Sequence, residues 1–163
     1  MEVTPMTAVR IVHVGDFKEK FYADAAAEYT KRLGAFCTLR DVTVREEKTD
    51  DKKASDTLIE RALEAEGARI REAAGKSKCI ALCVEGKQIS SQELAALIEK
   101  MQYDGEIAFI IGSSRGLSAD LKEQCAQRIS MSAMTFPHEL ARVMLLEQLY
   151  RAFTILGGKK YHK

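Results

Sequence analysis

The sequence predicts an α/β fold, a parallel sheet with helices on both faces, and three observations carry that prediction. Residues 79–84 and Ile107–Ile111 are apolar at every position, the pattern of strands covered on both faces. Strand-like runs alternate along the chain with helix-length stretches of 3.6-residue periodicity, as strand–helix–strand crossovers require. No repeat, low-complexity linker or compositional break divides the chain. One domain over residues 8–163 is therefore expected, with residues 1–7 as a frayed leader.

Taken in order, residues 9–14 read as a first strand, closed by the turn residue Gly15. Residues 21–33 are Ala-rich with helical spacing and stop at Gly34. Residues 36–44 form a second strand, and the charge run 46–53 a solvated loop. Asp56–Ala74 is a long helix with Leu58, Ile59, Ala62, Leu63 and Ile70 on its apolar side and Gly75 as its stop. After the apolar strand 79–84, residues 85–88 read as a loop. Ser90 and Glu93 then have capping-box spacing for a helix to about Gln102. The strand Ile107–Ile111 leads into the loop 112–116, and Ser118 caps a helix to Arg128. Residues 129–132 alternate as a short strand. Pro137 opens the last helix, because the first turn does not need the N–H that proline lacks, and Gly157-Gly158 end it. On that helix Leu145, Leu149, Ala152, Phe153 and Leu156 form one stripe, with Leu140, Met144 and Ile155 nearly opposite. A helix apolar on two sides needs two covers: the sheet is one, and a second subunit is the natural other.

Composition narrows the function classes. A chain 46% hydrophobic and 30% charged is an ordinary globular protein. A net charge of +1 gives no overall basic signature, so any nucleic acid must be met by local charge or by a docking surface in a larger assembly. No apolar run approaches the ~18 residues of a membrane span, and a cytoplasmic location is expected. The cysteines, Cys37, Cys79, Cys83 and Cys125, contain no CxxC pair. In one strand Cys79 and Cys83 would stand about 13 Å apart, too far to bridge or to share a metal. Neither a metal nor a disulfide is expected.

In a parallel sheet, ligands bind outside the carboxyl ends of the strands. Three loops belong to that edge: 85–87, 112–116 and 131–136. The chain carries Met134-Thr-Phe-Pro-His138, Leu145-Leu-Glu-Gln-Leu-Tyr-Arg-Ala-Phe153 and a terminal Tyr161-His162-Lys163, with Phe109-Ile-Ile-Gly112 and Gly116-Leu-Ser118 upstream. Together these resemble the ribosomal RNA large subunit methyltransferase H family, of the SPOUT class of trefoil-knot methyltransferases, over nearly the whole chain. The resemblance, not the periodicity, implies a C-terminal knot, a homodimer and a bent S-adenosyl-L-methionine wrapped by the three loops. It also implies a substrate: a pseudouridine of 23S ribosomal RNA, within the ribosome, methylated at ring nitrogen three.

By position, Leu82, Gly112, Ser113, Met131, Ser132, Ala133, Met134, Thr135 and Phe136 match the family's cofactor pocket. Ser113 stands where the family usually has a second Gly, and Gly158-Lys-Lys replaces the family's common Gly-Glu-Pro before the terminal Tyr-His-Lys. The acceptor nitrogen is an imide N–H that becomes nucleophilic as its proton leaves. An Arg can stabilise the charge on the flanking carbonyls, and a His or Tyr can relay the proton. Arg142, His138, Tyr161 and His162 are the candidates for these roles, and Arg151, Lys159 and Lys160 are the candidates for RNA contact. Blander roles stay open. Arg142 can pack its stem and send its head to water, Arg151 can pair with Glu147 one turn earlier, and Tyr150 can simply pack. Among rival functions, a Rossmann nucleotide enzyme fails on the spacing of Gly112 and Gly116. A non-catalytic RNA-binding or ribosome-assembly module with the same fold is the alternative that remains.

Overall fold

In the computed structural model, residues 6–50 and 52–161 are described. Residues 1–5 of the expected leader, Asp51 of the charge run, and the candidate His162 with Lys163 lie outside the described residues. Five strands, β1 (Thr7–Val14), β2 (Cys37–Val44), β3 (Lys78–Gln88), β4 (Ile107–Ile111) and β5 (Gln127–Ser130), form one sheet in the order β2-β1-β4-β3-β5. Every pairing is parallel. The helices are α1 (Lys20–Leu33), α2 (Asp56–Ala74), α3 (Ser91–Met101), α4 (Ala119–Gln124) and α5 (His138–Leu156).

Two cores sandwich the sheet. Ile107, Phe109 and Ile111 of β4 point to one face, where α1, α3 and α5 cover them. Ala108 and Ile110 point to the other, beneath α2 and α4. This is the two-residue alternation of a strand expressed on two buried faces. The expected caps form: Ser90 accepts from Glu93 N and Ser118 from Leu121 N. Pro137 immediately precedes α5.

Several features differ from the sequence expectation. β1 begins at Thr7, the last residue of the expected leader. Residues 85–88 are not a free loop. β3 continues to Gln88, pairing with β5 through Leu82 and again through Lys87, both opposite Ile129. The residues between them bulge out, and Gly86 lies so close to β5 that a Cβ there would stand 2.6 Å from Ile129 C. α4 stops at Gln124, not Arg128, and β5 begins at Gln127. Ala126 N is needed for a bond to Cys79 O (2.9 Å), and Gln127 and Arg128 are drawn into register with Ile80 and Ala81. On α2, Leu58 is exposed, and the buried line runs through Ala62, Glu66, Gly67, Ile70 and Ala74.

Of the expected stripe on α5, Leu145, Leu149, Ala152 and Phe153 are buried and Leu156 is half-buried, as are Leu140, Met144 and Ile155 on the other side. A polar clamp fixes its start. Buried His13 on β1 has Nδ1 2.9 Å from Gly15 O and Nε2 2.5 Å from Asp41 Oδ1. Asp41 Oδ2 accepts from Arg142 Nη2 (2.6 Å), whose guanidinium lies 3.9 Å from the Phe17 ring centre. Lys18 N donates to Glu139 Oε1 at 2.5 Å. Burial raises the Asp41 carboxyl, but His13 and Arg142 outweigh it and hold it below its ordinary value.

Asp41 is 36% exposed, so water screens the pair and its loss should be modest. Asp41→Asn should cost about 1–2 kcal/mol, read as a fall in unfolding midpoint of roughly 3–6 °C at neutral pH. A folded-state value below the ordinary 3.8 means the contribution is present above that pH and is lost as pH falls through the lower folded value. Thermal scans from pH 7 to pH 3 should therefore show the two proteins converging at the acid end. A gap that stays constant would assign the effect to something other than the ionised Asp41.

Candidate functional site

Ile111 and Ser130 end β4 and β5, and between those strands Leu82 is the last residue of β3 paired with β5 before its bulge. The segments beyond them, 83–85, 112–117 and 131–136, ring a cavity of about 370 Å³, within the ~300–1,000 Å³ typical of ligand sites. His138 and Ala141, on the first turn of α5, complete the wall.

The middle loop is tight. Gly116 N donates to Ser113 O at 2.8 Å, and a Cβ at Gly112 would lie 2.3 Å from Gly116 O, so no side chain fits there without moving the loop. The third loop is braced by its own hydroxyls: Ser130 Oγ donates to Ser132 O (2.9 Å), and Ser132 Oγ accepts from Met134 N (3.0 Å). Lys122 of α4 pairs with Glu85 of the bulge across the cavity wall and holds that carboxyl below its usual range. The remaining wall is largely apolar, with Leu82, Val84, Leu117 and Phe136.

Of the expected cofactor residues, Leu82, Gly112, Ser113, Met131, Ser132, Met134, Thr135 and Phe136 line this cavity, and Ala133 does not. Of the expected catalytic residues, His138 lines it. Arg142, one turn further along α5, is turned to Asp41 instead of to water or into the cavity. Tyr161 folds back on its own helix. Its ring meets Tyr150 edge-on at 4.7 Å, the Arg151 guanidinium lies 5.1 Å from it, and its hydroxyl donates to Glu147 Oε1 at 3.4 Å. Burial, with the Glu147 charge added, pushes the Tyr161 phenol up. Arg151 makes the expected bond to Glu147, at 2.5 Å. Lys159 Nζ lies 4.9 Å from the Phe36 ring centre, and Lys160 is exposed. Tyr150 is twelve residues beyond His138, about 18 Å along the helix axis. Within the chain, Tyr161 therefore stands away from the cavity, whose lining does not include it.

A second cavity of about 550 Å³ lies on the outer side of α5, between Tyr29, Leu94, Ile129, Val143, Met144 and Gln148. Sequence reasoning missed His13, Asp41, Glu66 and the Lys122–Glu85 pair. For Glu66 a signal existed, since it falls four residues from both Ala62 and Ile70 on the buried stripe of α2. The Asp41–Arg142 pair spans 101 residues of sequence, beyond any local pattern.

A family model described as "Predicted SPOUT methyltransferase" matches residues 7–162. Proteins named "Ribosomal RNA large subunit methyltransferase H" are similar over 95% of this chain and 99% of their own length: 43% identical in Streptococcus thermophilus, and 45% in both Bifidobacterium adolescentis and Clostridium botulinum. Among solved structures, a probable methyltransferase from Bordetella pertussis superposes with a TM-score of 0.58 at 21% identity, covering 90% of this chain and 95% of that one. A probable methylase family protein from Haemophilus influenzae gives 0.54 at 17%, covering 97% and 70%. At those identities the two structures speak to the fold, which they share. The sequence relatives go further: the chain belongs to the SPOUT methyltransferases, in the family of ribosomal RNA large subunit methyltransferase H.

Proposed function

We propose that the protein transfers the methyl group of S-adenosylmethionine to ring nitrogen three of a pseudouridine in large-subunit ribosomal RNA. The observation that carries this reading is the 370 Å³ cavity ringed by three strand-end loops, in a chain whose relatives are named for ribosomal RNA methylation. The lining fits the donor. Main-chain groups of the tight 112–116 loop and hydroxyls of 130–132 suit the polar edge of an adenosine, and Leu82, Leu117 and Phe136 suit its faces. When bound, S-adenosylmethionine supplies an electrophilic methyl carried on a sulfonium.

The protein's own work is then to orient, to exclude water and to move one proton. The loops fix the donor's position. His138, at the cavity rim, is placed to accept the imide proton as the nitrogen becomes nucleophilic. Arg142, held by Asp41 and Phe17, sets the helix turn that presents His138. Tyr161 and His162 come from a second subunit. The half-buried outer side of α5 with its 550 Å³ cavity supports a homodimer there, and the ~18 Å between tail and cavity within one chain favours an exchange of tails. In that arrangement Arg151, Lys159 and Lys160 of the second subunit meet RNA phosphates, which lets a chain of net charge +1 bind RNA locally. We also infer a C-terminal knot, which the 131–136 loop and α5, entering beside β4 and β3, would complete. Among the described residues no helix is long and apolar enough to cross a membrane; a ribosomal substrate supports a cytoplasmic location.

Gly112→Ala puts a Cβ against Gly116 O and should weaken S-adenosylmethionine binding by at least about tenfold in calorimetric titration. Unchanged affinity in a folded variant would move the donor elsewhere. Deleting residues 159–163 should leave donor affinity and dimer mass intact while lowering methyl transfer to ribosomes by roughly 100-fold or more. A truncated protein that methylates at the full rate would remove the tail from the site.

A further inference from the structure

Most of the cavity wall is apolar side chain, main chain or hydroxyl. Its charge is carried by Arg115, Lys122 and Glu85, and Glu85 is the one carboxylate among the described residues of the lining. On the side of β3 and α4, Lys122 Nζ donates to Glu85 Oε1. Both ends of this bridge stand on fixed backbone. Gly86 lies against Ile129, where a Cβ would be 2.6 Å from the carbonyl carbon, and so sets the direction in which the bulge carries Glu85. Leu121 is 2% exposed, and its N–H donates to Ser118 Oγ, which fixes the turn that carries Lys122. The Glu85 side chain is 58% exposed, and a bridge so exposed adds little to folding. Stability therefore does not account for its place. What the place offers is a cation and an anion side by side at the edge of a cavity whose other walls suit an adenosine. An amino-acid group carries the complementary pair, an ammonium and a carboxylate on one carbon.

We propose that Glu85 and Lys122 form the subsite for the amino-acid end of the methyl donor: the Glu85 carboxylate takes the donor's ammonium, and the Lys122 ammonium takes its carboxylate. This rests on reading the cavity as the donor site. On binding, the bridge between the two side chains opens and is replaced by two charge-assisted contacts to the ligand, so every charge stays paired. The bridge already holds both side chains at the wall in the empty protein, and little ordering remains to be done. A nucleoside without the amino-acid end has nothing to exchange for the bridge and leaves it closed.

Calorimetric titration of Glu85→Gln, Lys122→Met and the charge swap Glu85→Lys with Lys122→Glu tests this, with three ligands. These are S-adenosylmethionine, S-adenosylhomocysteine, and methylthioadenosine, a thioether like the second but without the amino-acid end. Each single variant should bind the first two about tenfold more weakly and methylthioadenosine less than about twofold more weakly. The swap rebuilds a bridge with its charges reversed and should not recover the loss. Unchanged affinity for S-adenosylmethionine in either single variant overturns the proposal. So does an equal loss for all three ligands, which would make the bridge a brace of the wall, and so does recovery in the swap. Thermal scans confirm that each variant is folded; should Lys122→Met not fold, Glu85→Gln decides alone by the same comparison of ligands. Gly112→Ala separates this proposal from the reading it rests on. If that variant weakens S-adenosylmethionine while the two charge variants do not, the subsite fails and the donor site stands. If none of the three changes the affinity, or the unaltered protein binds none of the ligands, the donor-site reading fails with it.

Discussion

The double pairing of β3 with β5 is the constraint on which the site depends. Leu82 and Lys87 both stand opposite Ile129, so the chain between them has nowhere to go but outward, above the sheet's carboxyl edge. That bulge is one wall of the cavity, and the loops after β4 and β5 are the other two. A bulge that re-aims backbone next to a functional site is a recurring device of sheets. Here Gly86 makes it possible by letting β3 lie against β5 without a side chain between them. The parallel order of the strands then does the rest, because three adjacent carboxyl ends share one crevice.

The second dependence is on α5. Its buried stripe packs it between α1 and α3 over the sheet, and its start is held by polar contacts to β2 and to the segment before α1. Hydrophobic burial fixes where the helix lies but says little about its rotation or axial position. The directional Asp41–Arg142 and Glu139–Lys18 contacts supply that, and His138 reaches the cavity rim as a result. The opposite end of the helix carries a tail with little surface to bury. Tyr161, beyond the other end of the same helix, folds back on Tyr150 and away from that rim.

Much of this was legible in the sequence where the signal is local. The doubly apolar strands, the Ser90, Ser118 and Pro137 helix starts, and the full extent of Asp56–Ala74 need only neighbouring residues to be read. What was not legible is long-range. The bulge is created by a strand more than forty residues away, and so residues 85–88 looked like a turn-rich loop. α4 gives up its last turn to let Ala126 and Gln127 pair with β3. Arg142 looked like a free polar group on an apolar face because Asp41 lies on another strand. Glu66 shows a different failure: its place on the buried stripe could be counted, but a carboxylate there reads as surface until the Glu47 N–H that it accepts from is seen. The tail motif was recognisable by resemblance alone, since neither burial nor periodicity distinguishes Tyr161 from an ordinary chain end.

The central claim is that this protein puts a methyl group on a pseudouridine of the large ribosomal subunit. The most direct test is to incubate the purified protein with isotopically labelled S-adenosylmethionine and ribosomes from a strain that lacks this modification, then to digest the RNA and locate the label by mass spectrometry. The account predicts a single labelled nucleotide in large-subunit RNA, a pseudouridine bearing the methyl on ring nitrogen three, formed only when the donor is present. Labelling at a different base, or no labelling of ribosomes by a protein that binds the donor, would contradict it.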